Sequence, residues 1–397
     1  MEAYIVDWLS LLVRWLHLIA GIAWIGASFY FIMLDNSLST PARPDDATRG
    51  VSGELWAVHG GGMYQSQKFL SGPRGEVLSN NLHWSKYEAY TTWLSGMGLL
   101  AIIYWFGAGT YLIDKSVMPL APVQAIGISA ASIAGGWIVY SALCKFFGDN
   151  EKMLAATLIA FVVAMDWALF QVFSARAAFL HVGAVLGTIM AANVFFVIIP
   201  GQKKMVAQIR AGHQPDAEPG RIGKQRSVHN TYFTLPVLFI MISNHYPMTY
   251  SHPFGWVMLG AIMAAGALIR QFFVLRHRGQ MRPLFLIAAL ALLTAVFIAL
   301  APRQSSATGT GTATFAQVKL VIAQRCVTCH ATQPTMAGFA QPPKGVVLET
   351  AEQIIAQAPR IAATVASRYM PIGNLTHMTD AERQRIGAWF RDGASAQ

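Results

Sequence analysis

Apolar residues gather in eight runs, at 5–34, 88–113, 121–144, 153–174, 178–200, 229–246, 253–275 and 283–301. Each comes near the roughly 20 residues that cross a bilayer. Leu, Ile, Phe, Ala and Gly dominate, and no period-two alternation appears, so the runs predict helices, which satisfy their own backbone in lipid. Beyond them the character changes. Residues 303–313, RQSSATGTGTA, read as a flexible linker. A helical stretch, Phe315 to Arg325, follows, then a polar loop, then an amphipathic helix from Asp380 to Arg391 with Thr379 as its N-cap. The expected class is all-α: an eight-transmembrane-helix bundle over 1–302, a linker over 303–313 and a small second domain over 314–397.

Composition sharpens this division. Only 12% of the 397 residues are charged and 54% are hydrophobic, against about 25% charged in an ordinary soluble domain. A disordered chain, a coiled coil and a typical cytosolic enzyme are excluded. Three cysteines exclude a disulfide scaffold. The net charge of +10 does not call for nucleic acid, because the basic residues sort by connection. Loop 35–87 holds Arg43, Arg49, Lys68, Arg74 and Lys86. The next connections on the same side hold Lys145 and Lys152, then a group from Lys203 to Arg226, then Arg270, Arg276, Arg278 and Arg282. The opposite connections hold only Lys115 and Arg176. The positive-inside rule puts the basic set in the cytoplasm and both termini outside it. The first run is too long, and lacks the basic start, for a cleaved signal peptide.

Cys326-Val327-Thr328-Cys329-His330 is a C-x-x-C-H motif. Two thiols at this spacing can add to the vinyl groups of one haem, with the adjacent His on the iron. A chance match or a redox dithiol is the competing reading. Met370-Pro371 follows forty residues later, giving the helix, CxxCH, loop, Met, helix layout of a small cytochrome c. Met370 is the expected sixth ligand, with Met336 and Met378 as rivals. Haem c is attached outside the cytoplasm, where the charge count puts this domain.

Ionisable groups in lipid are costly and usually functional. Arg14 and His17 lie in the first run, and Asp166 lies in the fourth at a depth similar to Arg14. Arg14 either pairs with Asp166 or binds an anionic substrate or a haem propionate. His181 and His245 fall near the outer face, His83 and His229 near the inner face. Bis-histidine ligation of haem b is the sharp reading, His17 with His181 or His245, and His83 with His229. The plain reading is packed, hydrogen-bonded histidines. In loop 50–90, His59 precedes three glycines that let the backbone approach a ligand, with Trp56, Tyr64, Trp84 and Tyr87 for stacking and Lys68 and Lys86 for charge. An amphipathic surface loop is the alternative. Arg14, Asp166, His59 and Lys68 are the candidates for catalysis. Cys144 reads as a small apolar filler, and small-residue helix faces permit an oligomer.

VRWLHLIAGIAWIGASFYFIMLDNSL, WAVHGGGMY, LHWSKYEAYTTWLSG and SNHYPMTY resemble the membrane-bound bacterial urate oxidases. The resemblance spans the whole chain. It implies an eight-helix membrane domain and a periplasmic cytochrome c domain in the bacterial inner membrane. It also implies oxidation of urate to 5-hydroxyisourate, with electrons passed to a soluble cytochrome c or a terminal oxidase. The first helix is also similar to those of membrane protoporphyrinogen oxidases and copper-resistance proteins, where a His ligates haem b. Two other classes fit the residues alone: a quinol-oxidising electron-transfer subunit feeding cytochrome c, and a metal or haem transporter with a sensing haem.

Overall fold

The computed structural model describes residues 2–301, 313–336, 339 and 341–396. The linker expected at 303–313 lies outside them, apart from Ala313. Helix α1 (Glu2–Asn36) has no charged residue between Arg14 and Asp35. Leu11, Trp15, Ile19 and Ile22, spaced three and four apart, are exposed on one face. Water would penalise that stripe, and hydrocarbon solvates it.

A short helix, α2 (Pro44–Arg49), leads into an antiparallel hairpin, β1 (Val51–His59) and β2 (Gly62–Phe69), with Val58 opposite Met63. The structure is mostly helical as expected, and this hairpin is a local departure from the all-α expectation. The two-residue turn uses Gly60 and Gly61 at φ +57° and +80°, the left-handed conformation that a type I′ turn requires of both central residues. Gly60 and Gly61 therefore serve a turn, and no atom lies within 4 Å of where the Cβ of either would be, while Gly62 opens β2.

Helix α3 (Tyr87–Leu100) passes into two π-helical segments, Ala101–Trp105 and Ala108–Leu112. Then come α4 (Pro122–Phe147), α5 (Glu151–Phe170, capped by Asn150) and α6 (Ala175–Ala192, capped by Ser174). A third π-helical segment, Asn193–Ile198, joins α6 to α7 (Ile199–Arg210). The membrane-like part ends with α8 (Ala217–Ser243), α9 (Pro247–Tyr250), α10 (Gly255–His277) and α11 (Leu284–Ala299). Among the described residues, five helical stretches are long and apolar enough to cross a membrane: Tyr4–Asn36, Pro122–Phe147, Glu151–Phe170, Ala175–Arg210 and Gly255–His277. The other three runs differ for identifiable reasons. Residues 88–113 are split by π turns, 229–246 share α8 with a polar first half, and α11 is 16 residues long.

The core centres on α6, which packs against α4, α5 and α8. Two glycines permit that approach: a Cβ at Gly136 would lie 2.3 Å from Val185, and one at Gly183 would lie 2.5 Å from Ile240. Gly183→Val is expected to destabilise the bundle by about 1–3 kcal/mol or more through overpacking. Gly187→Val, where nothing lies within 4 Å, should leave thermal unfolding in detergent unchanged. Equal melting of the two variants would show that the close approach carries no stability.

The C-terminal residues form α12 (Phe315–Arg325), α13 (Ala351–Ala356), α14 (Ala358–Ala366) and α15 (Asp380–Arg391). Their own core includes Val318, Ile322, Leu348, Ile354, Ile386 and Trp389. Thr379 caps α15 in a reciprocal box with Glu382. The segment Ile372–Asn374 rests against Ala108–Leu112, and Tyr369 packs on the core of the apolar helices.

Candidate functional site

Cys326 and Cys329 follow the C-terminus of α12, with the His330 amide bonded to the Cys326 carbonyl at 2.9 Å. His330 Nδ1 lies 2.9 Å from the Val346 carbonyl oxygen. That bond makes Nδ1 the donor and leaves Nε2 as the atom with a free lone pair, the arrangement of a metal-ligating imidazole. Burial pushes the Cys326 thiol up to about 12, so it is a protonated thiol near neutrality. A redox dithiol needs a thiolate instead.

The loop carrying Met370 is held by two arginines, Arg383 of α15 and Arg325, the residue before Cys326. Arg383 donates to the Met370 carbonyl at 2.7 Å, to Val365 at 3.0 Å and to Asn374 Oδ1 at 3.1 Å. Arg325 donates to the Thr376 carbonyl at 2.6 Å, and the Thr376 hydroxyl returns a bond to the Arg325 carbonyl at 2.9 Å. The residue preceding Cys326 thus anchors the Met370 loop. Of the rivals, Met378 is 3% exposed and spent in the apolar core, while Met336 is half-buried on the loop after His330. Two thiols, an oriented imidazole and a loop thioether form a donor set that fits covalent haem.

A second constellation lies where the helix ends meet the C-terminal part. Arg176, in the first turn of α6, donates from Nε to Asn244 Oδ1 at 3.2 Å, and Tyr104 donates its hydroxyl to the same oxygen at 3.3 Å. The guanidinium lies over the Tyr111 ring at 5.3 Å and the Tyr104 ring at 5.9 Å. Its two terminal nitrogens carry no hydrogen bond among the described residues. Tyr250 is 4% exposed, and its hydroxyl has no partner among them either. Tyr369, one residue before Met370, packs on the same core. Tyr104 and Tyr111 ride on the two π-helical segments, a local irregularity frequent at functional sites. A fixed cation, aromatic faces, an amide and a spare hydroxyl can together hold a flat anion.

The residues singled out in the sequence are distributed otherwise. Arg14 is exposed and reaches only Ser10 Oγ, at 3.4 Å. Asp166 is 1% exposed, its Oδ1 has no partner, and Oδ2 faces Gly260 of α10. Arg14 is on α1, which packs chiefly on α3, whereas Asp166 is on α5, which packs on α4, α6 and α10, and no ion pair joins them among the described residues. His17 Nδ1 lies 3.0 Å from both the Thr92 carbonyl and Ser95 Oγ, a bond between α1 and α3. His181 commits both ring nitrogens, to Ser129 Oγ and to the Ala177 carbonyl, each at 2.7 Å. It stacks on Phe173 at 4.6 Å and meets Tyr104 edge-on, so it stands behind the Arg176 cluster. Neither His17 nor His245 hydrogen-bonds or stacks with it. His245 is exposed beside Asn244, and His83 is exposed ahead of α3. His229 Nδ1 meets the Tyr140 hydroxyl at 2.7 Å, with Asn193 bonded to the same oxygen at 2.9 Å. His59 is exposed at the end of β1, and Lys68 pairs with Asp35 at the end of α1.

Arg176, Tyr104, Tyr111, Asn244 and Tyr250 were not among the sequence candidates. Two signals pointed at them. Arg176 is one of two basic residues on the sparsely charged connections, and Asn244 and Tyr250 begin and end NHYPMTY. Residues 3–301 match the protein family described as urate oxidase N-terminal. No curated protein and no solved structure matches the chain.

Proposed function

The match spans well over half of the chain, so the protein belongs to the urate oxidase N-terminal family, and from that premise we propose that it oxidises urate at the Arg176 cluster and delivers the electrons to a haem c on Cys326, Cys329 and His330. Residues 1–302 form an eight-helix membrane domain and residues 314–397 a cytochrome c domain on the side opposite the basic connections, the periplasmic side of a bacterial inner membrane. The observation that carries the reading is Arg176: a guanidinium whose two terminal nitrogens have no hydrogen bond among the described residues, beside two tyrosine rings and against the segment that bears Met370.

Urate is flat, aromatic and monoanionic near neutral pH. Its conversion to 5-hydroxyisourate adds one water and releases two electrons and two protons. Arg176 binds the anionic edge through its terminal nitrogens, and Asn244, held by both Arg176 and Tyr104, orients the ring edge. The Tyr104 and Tyr111 rings supply faces, and the unpartnered Tyr250 hydroxyl supplies one further hydrogen bond. Haem c, when bound, takes one electron at a time, and a thioether such as Met370 raises its potential. With the substrate beside Tyr369, electrons need not cross the roughly 30 Å apolar core, so this reading requires no haem b. The acceptor beyond haem c is a soluble cytochrome or a terminal oxidase.

Anaerobic addition of urate to the oxidised full-length protein tests this. The haem c absorption band is expected to reduce at two equivalents of haem per urate. No reduction by urate, together with reduction by a quinol analogue, would replace the reading with quinol oxidation.

A further inference from the structure

The hairpin of β1 and β2 has two outer edges. The edge of β1 is met by Ser39, which exchanges two backbone hydrogen bonds with Glu54, each at 2.9 Å. Those bonds face away from β2, so Glu54 and Gln67 opposite it form a non-hydrogen-bonded pair of the ladder. Pair types alternate along an antiparallel ladder, which makes Trp56–Gln65 and Val58–Met63 pairs of the same kind. Met63, Gln65 and Gln67 therefore turn their N–H and C=O groups outward from β2. Among the described residues, no hydrogen bond reaches those groups and no third strand joins the sheet.

An open edge is a template for another strand, and proteins commonly blunt one with proline, charge or a bulge. β2 has none of these. Gly62–Phe69 contains no proline. Its one charged residue, Lys68, is answered by Asp35 at the end of α1, and the register shift lies in β1, between Val51 and Gly53. A two-stranded hairpin alone is only marginally stable in water, so further strands on this edge would stabilise it.

The residues of the edge select the strand that fits. Met63-Tyr64-Gln65-Ser66-Gln67-Lys68-Phe69 has matching chemistry in both directions from Ser66. Two antiparallel copies crossing at Ser66 set Gln65 opposite Gln67, Tyr64 opposite Lys68 and Met63 opposite Phe69. Amide meets amide, ring meets cation, thioether meets ring, and no like charges oppose each other. The backbone agrees, because outward-turned Gln65 meets outward-turned Gln67 and the two exchange both bonds. A shift by one residue would set outward groups against inward ones. We propose that β2 is the contact of a twofold dimer, in which the edges of two copies of this chain pair antiparallel about Ser66 and build a four-stranded sheet.

The test uses the full-length protein in mild detergent. Light scattering, with the detergent contribution subtracted, is expected to give the mass of two chains. Gln67→Pro removes an outward N–H that has no partner within the described chain, and the Gln67 amide makes no hydrogen bond there either. The hairpin should tolerate that change at its edge, and the mass should fall by half. Cross-linking reads the register. Ser66 faces its own copy at a non-hydrogen-bonded pair, with about 4.5 Å between Cα atoms, within reach of a disulfide. Under mild oxidation, Ser66→Cys should give a two-chain band on a non-reducing gel that the unaltered protein does not give. Gln65→Cys alone should not, because its own copy lies about two residues further along the strand, beyond the roughly 7 Å limit. Co-expressed with Gln67→Cys, it should. A single-chain mass in the unaltered protein overturns the proposal, and so does a two-chain mass without the Ser66→Cys cross-link or one that Gln67→Pro leaves unchanged. Equal cross-linking at Gln65→Cys and Ser66→Cys would mark random collision and overturn it as well. If Gln67→Pro fails to fold, the cross-linking pattern decides.

Discussion

Alanine at both Cys326 and Cys329 is expected to remove the haem band from a denaturing gel and to bring urate turnover down to background, while the apolar helices still insert. Each thiol can supply one thioether, so either single substitution should leave a weakened, partly loaded cytochrome. His330→Ala should keep the covalent attachment and lose the normal ligation, because the Val346 carbonyl holds Nδ1 and leaves Nε2 as the nitrogen that would meet the iron of a bound haem. The effect is all or none in the double variant: without its acceptor the site has nowhere to send electrons. The checks are haem staining, a pyridine haemochrome spectrum and urate-dependent reduction of an external acceptor. Full urate turnover in the double variant would refute the cytochrome as the obligatory route. A pyridine haemochrome of the unaltered protein showing b-type haem would add a cofactor that the present reading does not need.

Arg176→Gln should be the most damaging single change in the helical part. Two charge-assisted hydrogen bonds to the substrate, at about 1.5–3 kcal/mol each, correspond to a loss of roughly 10²–10⁴-fold in kcat/KM at 1.4 kcal/mol per tenfold. The haem spectrum should not move. Arg176→Lys should recover only part of the loss, since an ammonium keeps the charge but not the fork. Arg14→Gln provides the contrast: its guanidinium is exposed and among the described residues hydrogen-bonds only Ser10, so a change of less than about tenfold is expected. A large loss in Arg14→Gln with turnover intact in Arg176→Gln would reverse the assignment and restore the first helix as the site.

The helices that sequence alone delimits well are those whose ends are written locally. Thr314 and Thr379 cap α12 and α15, and the expected bounds Phe315–Arg325 and Asp380–Arg391 match those of the structure. The long apolar helices are legible for a different reason, because lipid tolerates no interruption of their composition. The hairpin escaped notice because its turn glycines also suit a ligand loop, and only φ decides between the two uses. The π-helical turns escaped because nothing in composition separates them from an α-helix. The Arg14–Asp166 pair did not form because counting residues from a helix end gives depth and not neighbours: α1 packs chiefly on α3, and α5 packs on α4, α6 and α10. The Arg176 cluster joins positions 104, 111, 176, 244 and 250, which no local spacing connects.

Tyr369 and the segment Ile372–Asn374 rest on the ends of the helices that carry Tyr111 and Arg176. In the proposed reaction, the part that would receive the electrons would therefore also be one wall of the chamber that would hold the substrate. Urate would give up two electrons and a haem c on Cys326, Cys329 and His330 would take them singly, so that wall would have to stay in place between the two transfers. A wall that lifted to release product would break the electronic contact in the same movement, so the cycle would be timed by one joint.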